Sequence, residues 1–260
     1  MCITRSHSRR APAIDLGFAD KIAVVLVTHG DRAGPVRNKA LLSHTNAIYQ
    51  RAQFCCVACG VLKGEPLIEE ALQKAVQAGP ALILVYPLFM SSGYFVETVL
   101  ARRIAKGDLP VPVRVLPPIG LSARLPELLW KRSLEVACLA EFSPENTRLL
   151  LTGHGSKIGQ RSAQATAQVA RQLVTFNVFN KVQTAFLEEP PLLHNQLAAD
   201  RGPTVIAGLF ASDGLHAYDD VPAAIEETGA NAVYTGAIGT HPEIVDLVLA
   251  ELSDEGVRLS

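Results

Sequence analysis

No apolar stretch in this 260-residue chain reaches the roughly 18 residues that would span a membrane. The first 20 residues carry Arg5, Arg9 and Arg10 but lack the apolar run of a secretory signal. They read as a disordered tail, with an organellar transit peptide as the alternative, and the cytoplasm is the expected location. Net charge is also lacking: 24 basic against 25 acidic residues leave a formal −1, so no global field draws the protein to nucleic acid. Disulfide spacing is missing too, because the cysteines number five and follow no secreted pattern. Cys56-Val57-Ala58-Cys59 is formally C-x-x-C, yet it lies inside the apolar run Phe54 to Leu62 and reads as core packing in a strand. No histidine-rich storage tract is present, and aromatics are only 6% of residues.

What the chain does contain is a copy of itself. Leu26-Val27-Thr28-His29-Gly30-Asp31-Arg32 reads against Leu151-Thr152-Gly153-His154-Gly155-Ser156-Lys157, an offset of 154 − 29 = 125. Leu62-Lys63-Gly64-Glu65-Pro66-Leu67 aligns with Leu187-Glu188-Glu189-Pro190-Pro191-Leu192 at the same offset. Leu88-Phe89-Met90-Ser91-Ser92-Gly93 then matches Leu209-Phe210-Ala211-Ser212-Asp213-Gly214 at 209 − 88 = 121. Such a period is far longer than the roughly 20 to 50 residues of solenoid units, so the repeat is of whole halves. We place them at residues 21–142 and 143–260, divided at the turn residues Phe142-Ser143-Pro144-Glu145-Asn146.

Each half alternates short apolar runs with amphipathic stretches, the pattern of a parallel sheet covered by helices. Strands are expected at Ile22–Thr28, Phe54–Leu62, Ala81–Leu88 and Val111–Leu116, then at Arg148–Gly153, Lys181–Leu187, Thr204–Phe210 and Ala232–Ala237. Helical patterns include Arg37–Gln53, Pro66–Ala78, Gln160–Thr175 and Pro222–Glu227. The expected fold class is α/β, two similar parallel-sheet α/β/α halves facing a shared cleft. In open parallel sheets ligands bind beyond the carboxyl ends of the strands. His154, Glu188 and His216 follow the first, second and third strands of the second half, so they can face one cleft. At the matched places the first half has His29, Lys63 and Phe95. The chemistry is therefore expected in the second half, with the first as the opposite wall. Two imidazoles and a carboxylate suit first-row divalent ions such as Co²⁺, Fe²⁺, Ni²⁺ or Zn²⁺. Glu189 competes with Glu188, and strand alternation does not decide between them.

The two HG strand ends, Phe186-Leu187-Glu188 and the segment from Leu209 to Pro222 together resemble the class II tetrapyrrole chelatases. The match is to sirohydrochlorin cobaltochelatases of the CbiX type, in a long, duplicated form. The resemblance covers roughly residues 20 to 252. It implies ATP-independent insertion of a divalent metal, Co²⁺ first with Fe²⁺ and Ni²⁺ as alternatives, into a tetrapyrrole and without a nucleotide. It implies that His154, His216 and Glu188 bind the metal, with one of them accepting a pyrrole proton. A polycarboxylate macrocycle calls for cations in the cleft: Lys63, Lys157 and Arg161 are the candidates, the last two spaced to share a helical face. Backbone N–H groups at the helix starts add an anion site.

The same residues have plainer readings. His154 could be a turn histidine, and the cations could be solvated surface charges. His241 reads as a first-turn residue of the last helix, with reach to the cleft as the alternative, and His44 and His194 read as structural or exposed. Tyr218, Asp219 and Asp220 read as a helix start, where acids complement the dipole. A histidine phosphatase would want an arginine immediately before the HG pair, where Thr28 and Gly153 stand. A tetrapyrrole-binding protein without turnover and an iron chelatase remain as alternatives. The sequence leaves open whether the protein is a monomer or a homodimer.

Overall fold

The computed structural model describes residues 17–31, 38–156, 159–212, 214 and 216–259. The first half comprises β1 (Gly17–Phe18), β2 (Ile22–Thr28), α1 (Lys39–Arg51), β3 (Cys56–Val61), α2 (Ile68–Gln77), β4 (Leu82–Pro87), α3 (Ala101–Lys106), β5 (Val113–Val115) and α4 (Leu125–Leu139). The second comprises β6 (Arg148–Gly153), α5 (Arg161–Thr175), β7 (Lys181–Phe186), α6 (Leu193–Ala199), β8 (Thr204–Gly208), α7 (Val221–Thr228), β9 (Ala232–Ala237), α8 (Ile244–Asp254) and β10 (Val257–Arg258). The two sheets are all parallel and have the same strand order, β3-β2-β4-β5 and β7-β6-β8-β9. The expected α/β class and its eight main strands are thus present, three with the expected bounds and the others with ends trimmed by one or two residues where turns take over.

The near-continuous apolar strands reflect burial on both faces. All seven residues of β2 are buried; Ile22, Val24 and Leu26 enter one core, while Ala23, Val25 and Val27 enter another. In β6, Leu149 and Leu151 face the first of these cores and Leu150 a third. The first core is shared by both halves and joins the inner faces of the two sheets; the other two lie on the outer faces. Successive side chains of a strand point to opposite faces, so Cys56 enters the outer core and Cys59 the shared one. The C-x-x-C thiols therefore point apart and are free, and burial pushes both up from the ordinary thiol range. This agrees with their reading as core packing.

The last helix of each half crosses to the other. Helix α4 packs on α5, β8 and β9, and its Trp130 stacks on Phe176 with ring centroids 4.9 Å apart. Helix α8 packs on α1, and its Glu251 accepts a hydrogen bond from the buried Tyr86 of β4. Arg51 pairs with Asp246, Arg124 with Asp254 at 2.6 Å, and Arg114 with Glu255 at 2.7 Å. Strand β1 pairs with β10, tying the front of the chain to its end. Of the tail expected over residues 1–20, residues 1–16 lie outside the described residues, whereas Gly17–Phe18 are already in a strand. Among the described residues no helix is long and apolar enough to cross a membrane.

Candidate metal-handling site

The repeat is most exact at the strand ends. Beyond β2 and β6 the chain turns at Gly30 (φ +104°) and Gly155 (φ +78°), a left-handed conformation that favours glycine. A Cβ on Gly30 would lie 2.0 Å from the Lys63 carbonyl oxygen; on Gly155 it would lie 2.9 Å from the Glu189 Cγ. The turn thus brings the histidine loop hard against the loop that follows the second strand. Backbone bonds fix the approach: the Lys63 N–H donates to the His29 carbonyl at 2.8 Å, and the Glu188 N–H to the His154 carbonyl at 3.0 Å. Both second-strand loops also carry a cis peptide at matched places, Glu65–Pro66 and Pro190–Pro191.

These constraints bring two of the three expected ligands together. His154 Nδ1 lies 3.7 Å from Glu188 Oε2, and each side chain is about two-fifths exposed, at 40% and 38%. The neighbouring Glu189 has a different task, since its Oε1 accepts the Ser156 N–H at 2.9 Å and pins the histidine loop. Geometry thus turns Glu188, not Glu189, toward the histidine. His216 is the first residue of a π-helical turn, His216–Asp220, and only its backbone is among what is described. Among the described residues no three His, Cys, Asp or Glu side chains converge on a point where an ion could sit.

The first half shows what occupies the matched space. Phe95 opens an equivalent π-helical turn, Phe95–Leu100. Its ring lies edge-on to His29 with centroids 4.6 Å apart, and Lys63 Nζ stands 5.7 Å from the same ring. The Phe95 ring therefore contacts both the histidine and the residue matching Glu188. Where the second half offers an imidazole and a carboxylate, the first has closed a histidine, an aromatic ring and a cation on one another, an attraction of about 0.5–1 kcal/mol at exposed sites. The ends of the 31–38 loop are held by paired bonds: the Asp31 N–H donates to Asn38 Oδ1 at 2.8 Å and the Asn38 N–H to Asp31 Oδ2 at 3.0 Å.

Of the expected macrocycle contacts, Lys63 is at the strand end as described and Lys157 lies outside the described residues. Helix α5 begins at Arg161, whose guanidinium is engaged by the other half: it donates to the Ser92 carbonyl at 3.1 Å and pairs with Glu97. That hydrogen-bonded pair holds the Glu97 carboxyl below the usual carboxylate range. Glu97 is not among the site residues expected from the sequence, although Glu97-Thr98-Val99-Leu100 stands where the second half has Asp219-Asp220-Val221-Pro222. His44 is buried at 3% exposure, with Nε2 2.9 Å from the Gly239 carbonyl of the other half, in keeping with a structural histidine. His241 is half-buried, and its Nδ1 accepts the Glu243 N–H at 3.3 Å.

Two parallel-sheet halves, joined through one core and meeting at histidine-bearing strand ends, define a duplicated chelatase-like α/β fold. The chain belongs to the CbiX family, which it matches over residues 23–136 and again over 148–255. It is 27% identical over 273 residues to a protein of Halobacterium salinarum named "Probable sirohydrochlorin cobaltochelatase", covering 90% of this chain and 91% of that one. Its structure resembles that of a CbiX described as the terminal enzyme for biosynthesis of siroheme in denitrifying bacteria. The TM-score is 0.69 at 26% identity, over 89% of this chain and 98% of the other. SirB from Bacillus subtilis, solved with Fe³⁺, shares the fold at a TM-score of 0.76 and 20% identity, over 91% and 96% of the two chains.

Proposed function

We propose that the protein inserts a divalent metal ion, Co²⁺ foremost, into sirohydrochlorin, without ATP and in the cytoplasm. The observation that carries this reading is the approach of His154 Nδ1 to Glu188 Oε2 at 3.7 Å on a strand edge whose degenerate copy holds Lys63 and Phe95 instead. Under this reading His154, Glu188 and His216 hold the incoming ion as substrate. So few ligands suit a metal that must leave, because open positions let pyrrole nitrogens replace protein donors one by one. Insertion releases two pyrrole protons, so a base beside the ion is required. The imidazole and the carboxylate beside the ion are the groups placed to take those protons once the ion moves on. The partly exposed carboxylate and imidazole are accessible to a macrocycle and to the water that carries protons away. Lys63 and Lys157 supply positive charge to peripheral carboxylates, while Arg161 is held between the halves.

The name of the haloarchaeal relative supports Co²⁺ and hence cobalamin synthesis. The siroheme role of the CbiX from denitrifying bacteria supports Fe²⁺ as the second reading. The test is anaerobic insertion of Co²⁺, Fe²⁺ and Ni²⁺ into sirohydrochlorin followed by absorbance, with His154→Ala and His216→Ala alongside. Acceleration lost in both variants is the expected result, each falling at least about 100-fold, the lower end for general acid–base groups. No acceleration by the unmodified protein with any of the three ions would overturn the chelatase reading. Tight macrocycle binding without insertion at any pH would assign a binding role instead.

A further inference from the structure

One buried contact between the halves is polar where its counterpart is apolar. Helices α1 and α5 hold matching buried residues: Leu41, His44 and Ile48 in the first, Thr166, Val169 and Leu173 in the second, each pair 125 apart (44 + 125 = 169). Val169 is an ordinary member of the shared core. His44 is as deeply buried, and its Nε2 donates to the Gly239 carbonyl of the other half at 2.9 Å, since a carbonyl oxygen only accepts. A polar ring in such a place costs stability unless that bond is made. Valine packs at the matched place without that cost, so core filling alone does not account for the imidazole.

Gly239 lies in the turn Ile238–Thr240 that follows β9. Its N–H donates to the Phe210 carbonyl at 2.9 Å, and a Cβ on it would lie 2.3 Å from the Ala211 carbonyl oxygen. The turn is therefore pressed against the end of β8. Gly120 makes the same two approaches in the first half, to the Phe89 carbonyl at 2.9 Å and, through a Cβ, to the Met90 carbonyl oxygen at 2.1 Å. The residue matching His44 is Val169, which has no donor to offer such a turn. From Ala211 the chain runs on to His216, five residues later. On the other side of the strand end the Leu209 N–H donates to the Thr152 carbonyl at 2.8 Å, two residues before His154. The strand end that His44 steadies through Gly239 thus leads to both histidines expected at the metal.

We propose that His44 is a positioning residue for the metal-handling site of the opposite half, holding the Gly239 turn and with it the end of β8 from which His216 and His154 are placed. The half without the full donor set thereby contributes to the site of the other. This rests on the chelatase reading above. The test measures kcat and KM for Co²⁺ insertion into sirohydrochlorin, with Co²⁺ affinity by calorimetry and the visible absorption of bound Co²⁺, in the full-length protein. His44→Val and His44→Leu, which keep an apolar core but lack the donor, should each lower kcat and Co²⁺ affinity about ten-fold, the low end for losing the support of a metal ligand. The Co²⁺ absorption should shift, and KM for the macrocycle should stay nearly constant. His44→Gln, whose amide can donate to the same carbonyl, should restore most of both. Val169→Ala, a cavity at the matched place, should lower stability while leaving kcat, Co²⁺ affinity and the Co²⁺ absorption as they are. Unchanged kcat and Co²⁺ affinity in either folded variant lacking the donor overturns the proposal. So does an equal loss in Val169→Ala, or no recovery in His44→Gln, since packing and not the bond would then be at work. Failure of the unmodified protein to insert any metal strikes the chelatase reading itself, a different outcome from all of these.

Discussion

The two halves of this protein share strand order, glycine turns, cis peptides and the backbone bond from the second-strand loop to the histidine. They differ in what that common frame displays. In the second half a carboxylate stands near an imidazole; in the first a phenylalanine ring packs edge-on against the imidazole, with a lysine ammonium near the same ring. Backbone geometry has outlasted side-chain chemistry. The difference separates the strand-end frame, which both halves keep, from the side chains displayed on it, which are exchanged.

The sharpest way to break the comparison is to exchange that layer. Glu188→Lys should remove Co²⁺ binding from the second half, with a loss of at least about 100-fold, above the 10–100-fold typical of supporting residues. Lys63→Glu together with Phe95→His should raise the bound Co²⁺ from one to two per chain in calorimetric titration. A stoichiometry that stays at one would show that the first-half frame differs in more than its side chains.

The turns permit a smaller contrast. Alanine at Gly30 meets a backbone carbonyl at 2.0 Å, which cannot yield, whereas alanine at Gly155 meets the Glu189 side chain at 2.9 Å, which can swing aside. Both are strained at positive φ, by about 1–3 kcal/mol, but Gly30→Ala should cost roughly 1–3 kcal/mol more through overpacking. Denaturant titrations showing the same stability for both variants would mean that the two turns relax alike.

How much of this was legible beforehand follows from range. The strands showed themselves because burial on both faces writes continuous apolar runs, and the site because a repeat with broken symmetry marks its own exceptions. His154 and Glu188 could be placed on one edge from strand order alone. The choice between Glu188 and Glu189 could not, because it depends on one carboxylate bonding the Ser156 N–H across 33 residues. The Arg161–Glu97 tie and the crossing of α4 and α8 were equally hidden, since no local pattern tells a helix whose sheet it will cover. Residue 157 and the His216 side chain fall outside the described residues.

The smallest expected effect concerns a histidine that the second half replaces by Val169 (44 + 125 = 169). Burial holds His44 below its ordinary value of 6.5, against the opposing pull of the Gly239 carbonyl. The unfolded chain takes up this proton near 6.5 and the folded chain only at lower pH. Between those values the unfolded state binds more protons, so stability rises with pH. The contribution is complete above 6.5 and disappears as pH falls through the folded value. Thermal melts from pH 7 down to pH 5 should therefore fall more steeply for the unmodified protein than for His44→Gln. Parallel slopes would mean that His44 keeps its proton equilibrium on folding.

The crossing of α4 and α8 makes the single chain an interlocked object. Each half lends the other a wall of its core, so a cut between Ala140 and Thr147 would leave two fragments still clasped, each carrying a helix buried by its neighbour. Neither could be pulled away without opening both cores at once.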